Sequence, residues 1–164
     1  MTPNIREFVD NDLAAVVALS LRAWAPVHAA LRATFGEELD AALHPDWRVS
    51  QRRDVIDVCT AEGNHVWVGD NTADGSGAAV GFVAVRIHDD RRIGEIEMLA
   101  VDPDSQCLGL GTALAQFAVA WIREAGVPVA MVGTGGDPGH AAARRTYEKA
   151  GLMLVPMARY FLRL

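Results

Sequence analysis

Val101-Asp102-Pro103-Asp104-Ser105-Gln106-Cys107-Leu108-Gly109-Leu110-Gly111-Thr112 joins an apolar, strand-like run to a long amphipathic helix. Upstream, Ile93 to Val101 reads as a strand. Downstream, Leu110, Ala113, Leu114, Phe117, Ala118, Trp121 and Ile122 recur at helical spacing, which predicts a helix over Gly109 to Ala125. A strand, a turn and a helix opening on two glycines is a recurrent way to bind an anion. The first helical N–H groups have no partner within the helix, they carry roughly half a positive charge, and glycine lets a ligand approach the backbone closely. A plain strand–helix turn uses the same glycine pair, and the glycines alone do not choose between the two.

Working outward, Gly126 caps the helix and Val127 to Val132 reads as a buried strand. Asp137-Pro138 opens a further helix to Ala150, ended by Gly151, and Leu152 to Leu164 reads as one or two last strands. On the other side, His65 to Val68, Ala78 to Ile87 and Ile93 to Val101 are three strands with short connections, Asn71 to Gly77 and Asp89-Asp90. That spacing predicts an antiparallel meander. Before it come a short strand, Ile5 to Phe8, a helix capped by Asp10 and running to about Trp24, and a second from Pro26 to about Phe35. After Gly36, a loop leads to a third helix from Pro45 or Asp46 to Glu62. The expected fold is α/β (mixed α+β), one domain over residues 1–164. A central mixed, mostly antiparallel sheet is flanked by helices at about 10–62, with a core at about 63–152 and C-terminal strands at about 152–164.

The chain has 164 residues, 51% of them hydrophobic and 22% charged, which suits one globular domain. A net charge of -6 argues against non-specific nucleic-acid or anionic-membrane binding. No uninterrupted apolar run approaches the ~20 residues of a membrane span, and early charges at Arg6, Glu7, Asp10 and Asp12 leave no signal-peptide core. A cytoplasmic location is expected. Two cysteines without a C-x-x-C, and five scattered histidines, predict neither a disulfide framework nor a metal site.

Two phosphate-binding motifs fail at the decisive loop. A dinucleotide fingerprint needs a third glycine where Leu114 stands, and a P-loop needs a lysine that is absent. The later Gly133-Thr134-Gly135-Gly136 places Pro138 at its third-glycine position. The loop does resemble the acyl-CoA pyrophosphate motif of the GNAT acyltransferase superfamily, Gln/Arg-x-x-Gly-x-Gly/Ala, with Gln106, Gly109 and Gly111 in place. The family's downstream pattern, Asn-x-x-Ala-x-x-x-Tyr-x-x-x-Gly-Phe, is matched by Ala143, Tyr147 and Gly151, with His140 and Leu152 departing from it. The two motifs together cover residues 93–152. Cys107 and Leu108 stand where the family often carries Arg or Lys, so phosphate binding would rest on backbone N–H groups.

The resemblance implies acetyl-CoA as co-substrate, with no metal. It implies a sheet splayed between the fourth and fifth strands, with a bulge near Leu99–Ala100. Leu99, Ala100 and Val101 would pair with the pantetheine arm. Gln106, Cys107, Leu108, Gly109, Leu110, Gly111 and Thr112 would hold the pyrophosphate, and His140, Ala143 and Tyr147 would complete the site. Glu95 and Glu97, two residues apart, lie on one face of their strand, roughly 6.5–7 Å apart. Leu99 and Val101 continue that face unless a bulge intervenes, with Ile96, Met98 and Ala100 opposite. The resemblance makes these glutamates candidates for the base and Tyr147 for the acid that protonates the leaving thiolate. A half-solvated sheet face and a core tyrosine are the bland alternatives. Trp24, near the junction of the first two helices, and Tyr160 are candidate substrate contacts.

The resulting expectation is an N-acetyltransferase moving acetyl to a primary amine of a small molecule or peptide by direct attack. The alternative is a non-catalytic acyl-CoA-binding or sensing domain on the same fold. Partners would be a small-molecule or peptide acceptor, with room for a homodimer and no nucleic acid or membrane.

Overall fold

A computed structural model describes residues 4–70 and 77–164. The strands β1 (Asn4–Glu7), β2 (Asn64–Asp70), β3 (Ala79–His88), β4 (Ile93–Val101) and β5 (Val129–Val132) form one sheet in chain order. The first four are antiparallel and β5 runs parallel to β4. The turn read at Asn71 to Gly77 lies, but for Gly77, outside the described residues.

Helices α1 (Leu13–Phe35) and α3 (Trp47–Thr60) cover one face of the sheet. Val16, Val17, Leu19 and Val55 meet Val68, Phe82, Ala84 and Ala100 there. Helix α4 (Leu110–Glu124) covers the other, where Leu110, Leu114, Ala118 and Ile122 meet Val83, Val85, Ile96 and Val101. The apolar spacing read in the sequence is the stripe that α4 buries. Helix α5 (Ala141–Lys149) packs beside α4, and the turn before it, Pro138–His140, rests on α1. At that contact a Cβ on Gly139 would stand 2.9 Å from Ala30 Cβ and 3.2 Å from Val27 Cα, so only glycine permits the approach.

The expected mixed, splayed sheet is present. β5 pairs with β4 only from Ile93 to Ile96, so Glu97 to Val101 has no strand on that side. Several local expectations are corrected. The bulge falls at Glu97 and not at Leu99–Ala100: Ala84 faces Met98 and Val85 faces Ile96, leaving Glu97 as the extra residue. The inserted residue inverts the alternation beyond it. Leu99 and Val101 turn with Ile96 toward α4, while Met98 and Ala100 turn toward α1.

The two expected N-terminal helices are one, with Pro26 inside it. Pro26 removes the hydrogen bond to the Arg22 carbonyl, but both residues are exposed and water can solvate that carbonyl. Asp10 begins a short 3-10 turn, Asp10–Asp12, and Asp12 accepts the Val9 N–H. The expected loop after Gly36 contains α2 (Glu37–Leu43), whose first turn carries Glu37, Glu38 and Asp40.

β5 is shorter than read, and it is an edge strand. The C-terminal strands over 152–164 are absent. Leu152 donates to the Tyr147 carbonyl, and no backbone–backbone hydrogen bond follows among the described residues. A strand needs a paired neighbour, and this segment meets none. By length and composition, the stretch Asp10–Phe35 is long and apolar enough to cross a membrane; in this fold it packs on β3 and α3.

Candidate active site

The loop between β4 and α4 is built by its own side chains. Asp102 accepts the Asp104 N–H and shapes a 3-10 turn, Pro103–Ser105. Gln106 Nε2 donates back to the Val101 carbonyl at 3.0 Å, closing the loop. From α1, Arg22 donates to Asp102 at 2.8 Å and to Asp104 at 2.6 Å, tying the loop to the opposite layer. Gly109 is the N-cap of α4 with φ +88, a conformation that favours glycine, and Cys107 is left-handed at φ +62.

Among the described residues, the backbone N–H groups from Cys107 to Thr112 have no protein acceptor. The first to find one is Ala113, which donates to the Gly109 carbonyl. Six consecutive free amides at a helix N-terminus form an anion cradle without a basic side chain. Leu108 projects into solvent and contributes only backbone, and Leu110 is buried under the sheet. Gly111 packs beside Val101 and Thr146, bringing the start of α4 against α5.

The bulge decides how the two glutamates are placed. Both lie on the α1 and α3 face of the sheet. Glu95 is in the closed part, between Arg86 of β3 and Met131 of β5, with His88 Nε2 2.8 Å from its carboxylate. Glu97 is the first β4 residue past the end of β5. Asn64 Nδ2 donates to it at 2.5 Å, and Arg86 Nη1 is 4.0 Å away.

Tyr147 is half-buried on α5. Burial pushes its phenol up to about 12, and its hydroxyl has no hydrogen bond among the described residues. Ala143 is half-buried on the same helix. His140 does not reach across the site: its Nδ1 contacts Asp137 at 2.6 Å, at the start of α5. Burial works to raise the Asp137 carboxyl, but His140 and two backbone N–H groups outweigh it and hold it below its usual value.

Trp24 packs on the core between α1 and the sheet, and Tyr160 is 94% exposed on the C-terminal segment. One group of residues went unread in the sequence. His28 stacks on Trp47 at 4.3 Å and meets His44 edge-on at 5.4 Å, and His44 Nδ1 is 2.8 Å from Asp40. Burial and then the charge of His44 lower His28, whose Nδ1 has no partner. These residues are scattered in the chain and meet only because α1, α2 and α3 converge. Among the described residues, no group of three or more His, Cys, Asp or Glu is placed to hold a metal ion.

Comparison with known proteins agrees with this fold. A solved structure of a mutant BH1408 protein from Bacillus halodurans superposes with a TM-score of 0.71 at 14% identity, covering 98% of this chain and 99% of that one. AAC(6')-Iy, solved in complex with the bisubstrate analogue CoA-S-monomethyl-acetylneamine, superposes with a TM-score of 0.59 at 14% identity, covering 98% and 97%. At these identities the likeness is one of fold. In sequence, the mycothiol acetyltransferase of Sanguibacter keddieii is 42% identical over 84 residues, which is 48% of this chain and 26% of that protein. The matched region thus spans about a quarter of that relative. A sequence model described as Acetyltransferase (GNAT) family matches residues 24–152, and on that match across most of its length the chain belongs to the GNAT acetyltransferase family.

Proposed function

We propose that this chain is an N-acetyltransferase that uses acetyl-CoA to acetylate a primary amine of a small molecule by direct attack. The observation that carries the reading is the run of free amides from Cys107 to Thr112, placed just past the point where β4 and β5 part. A pyrophosphate fits that cradle: the donors are backbone N–H groups, the helix dipole has the right sign, and no side chain fills the approach at Gly109. From there, the free β4 edge beyond Ile96 offers backbone groups along which an extended pantetheine arm can lie.

The chemistry asks for little beyond placement. Holding thioester and amine together supplies up to ~7–11 kcal/mol of the barrier. A protonated amine has no lone pair to attack with, so a base is needed. In this reading Glu97, at the mouth of the splay and fixed by Asn64, takes that proton, directly or through one water. The amine nitrogen then bonds to the carbonyl carbon and the carbon–sulfur bond breaks. Tyr147, protonated across the neutral range as a phenol is and desolvated by burial, gives its proton to the departing sulfur. The products are the acetylated amine and CoA.

The mycothiol acetyltransferase relative supports a small-molecule acceptor over a peptide. The test is CoA thiol release with a panel of amines, run beside a thermal-shift titration with acetyl-CoA. Acceptor-dependent thiol release supports the enzyme. Stabilisation by acetyl-CoA with no acceptor-dependent release across the panel would leave a binding domain instead.

A further inference from the structure

The loop that would hold the pyrophosphate is itself acidic. Val101 to Thr112 contains Asp102 and Asp104 and no lysine, arginine or histidine. Asp104 precedes Cys107, whose amide is the first free one, by three residues, which is at most ~11 Å of chain. Charges at that range are only partly screened, since the Debye length at physiological salt is about 8 Å. Two carboxylates so placed oppose the binding of an anion, whatever the amides offer it.

One side chain answers both. Arg22 of α1 donates through Nη1 to the two Asp102 oxygens, at 3.1 and 2.8 Å, and through Nη2 to Asp104 at 2.6 Å. Among the described residues, no other cationic side chain pairs with the loop. The turn it grips is already formed, because Asp102 accepts the Asp104 N–H at 3.0 Å. The helix that presents it is fixed independently, by its buried face and by the close contact of Val27 and Ala30 with Gly139. The guanidinium therefore reaches a preformed turn from a packed support.

We propose that Arg22 is a positioning residue for acetyl-CoA that acts through charge. Without touching the co-substrate, it holds Asp102 and Asp104 and offsets their repulsion of the pyrophosphate at the amides of Cys107 to Thr112. Two carboxylates and one guanidinium leave the assembly with a formal charge of -1 in place of -2. Stability is a poor reason for this cluster: Arg22 is half exposed and Asp104 mostly in water, and exposed ion pairs contribute little to folding. Local charge is a better one, because the loop has no cation of its own and a focused field changes the occupancy of an anion site. The inference rests on the acetyl-CoA reading, and the experiment separates the two.

Acetyl-CoA is titrated by calorimetry into the natural chain, Arg22→Met and Arg22→Met/Asp104→Asn, at ~0.05 and ~0.5 M NaCl, with circular dichroism to check folding. Arg22→Met should bind roughly 5–10-fold more weakly than the natural chain at the lower salt, and the gap should shrink to about 2-fold at the higher. The double variant has the natural net charge and should recover most of the loss. Equal affinity of Arg22→Met and the natural chain at low salt overturns the proposal. A loss that is the same at both salts and untouched by Asp104→Asn overturns it too, because Arg22 then acts as a tether and not through charge. A natural chain that takes up no acetyl-CoA at either salt refutes the reading of the loop, and this inference falls with it. Should Arg22→Met fail to fold, Asp104→Asn alone decides. It leaves Arg22 on both Asp102 oxygens and removes one negative charge, so acetyl-CoA should bind about 2–5-fold tighter at low salt; unchanged or weaker binding is equally fatal.

Discussion

Asn64 Nδ2 donates to both Glu97, at 2.5 Å, and the Val58 carbonyl, at 2.9 Å, so one β2 amide holds the bulge carboxylate against α3. Glu95 lacks this arrangement: its partner is His88, inside the closed part of the sheet. The two glutamates of one strand are thus unequal. On the proposed mechanism, Glu97→Gln should lower kcat/KM by roughly 10²-fold or more, within the range for a general base, and Glu95→Gln should cost far less. Asn64→Ala should give an intermediate loss carried mostly by kcat, because the base remains but is no longer held. The measurement is a pH–rate profile of all three variants with one active amine. Equal losses at the two glutamates would remove the distinction. Superimposed profiles would mean that deprotonation of the amine in solution sets the rate.

Tyr147 carries a raised pKa because it is desolvated. Tyr147→Phe keeps the ring and removes the proton. kcat should fall by roughly 10–100-fold, at or below the usual general-acid range because a thiolate is already a tolerable leaving group, and acetyl-CoA affinity should hardly move. A stability effect has a definite sign. The folded phenol titrates near 12 and an unfolded one near 10, so the folded state loses ground as pH rises from about 10 toward 12. Tyr147→Phe should remove that part of the alkaline loss. Urea midpoints at pH 9 and pH 11 would show it, and an identical decline in both proteins would place the phenol in an unshifted environment.

Periodicity carried most of the fold. The stripe on α4 read directly because one face of that helix is buried, and the limits of β4 because an apolar run, covered on both faces, sits between two turn signals. Pro26 misled, since a proline on an exposed helix face can be tolerated where a buried one would not be. The bulge at Glu97 could not be read, because it is a property of how β4 pairs with β3 and not of β4 alone. That single residue turns Leu99 and Val101 away from the glutamate face. Around the site, Gly109 and Gly111 stood out as a glycine pair at a strand–helix turn, and Gln106 came only from the resemblance to the family's loop motif. The grip of Asn64 on Glu97 and the meeting of His28, His44 and Trp47 join distant parts of the chain, and no local pattern announces them.

The amide cradle predicts a charge effect at Gly111. A Cβ there would meet Thr146 and Val101 at 3.6 Å, an ordinary contact, and the backbone is helical, so Gly111→Ala should fold and still bind acetyl-CoA. Gly111→Asp adds a negative charge beside the free amides and should abolish the thermal shift that acetyl-CoA produces. Gly109→Ala is a poorer probe, because φ +88 strains any side chain by about 1–2 kcal/mol. A normal shift in Gly111→Asp would show that the pyrophosphate lies elsewhere.

The final prediction concerns Arg6, which joins the first strand to the start of the first long helix. Its guanidinium meets Asp12 in two hydrogen bonds of 2.7 and 2.8 Å and reaches Asp70 at 3.2 Å. The hydrogen bonds from Arg6 hold the Asp12 carboxyl below its ordinary 3.8. The carboxylates are nearly buried, with side chains 9% and 4% exposed, while Arg6 is 32% exposed. Arg6→Met keeps much of the apolar stem and strands both carboxylates. The cost should be about 2–3 kcal/mol at pH 7, under the ~3–5 kcal/mol for a fully buried pair because solvent screens the exposed arginine. A lowered folded pKa means that Asp12 contributes fully above its unfolded value near 4, and that the contribution is lost as pH falls through the folded one. In Arg6→Met the Asp12 carboxyl loses the hydrogen bonds that lowered it while staying nearly buried, so mild acid relieves it. The stability gap between the two proteins should therefore be widest near pH 7 and narrow toward pH 4, read as the difference in urea unfolding free energy. A gap that stays constant over that range would show that Arg6 acts through packing and not through its charge.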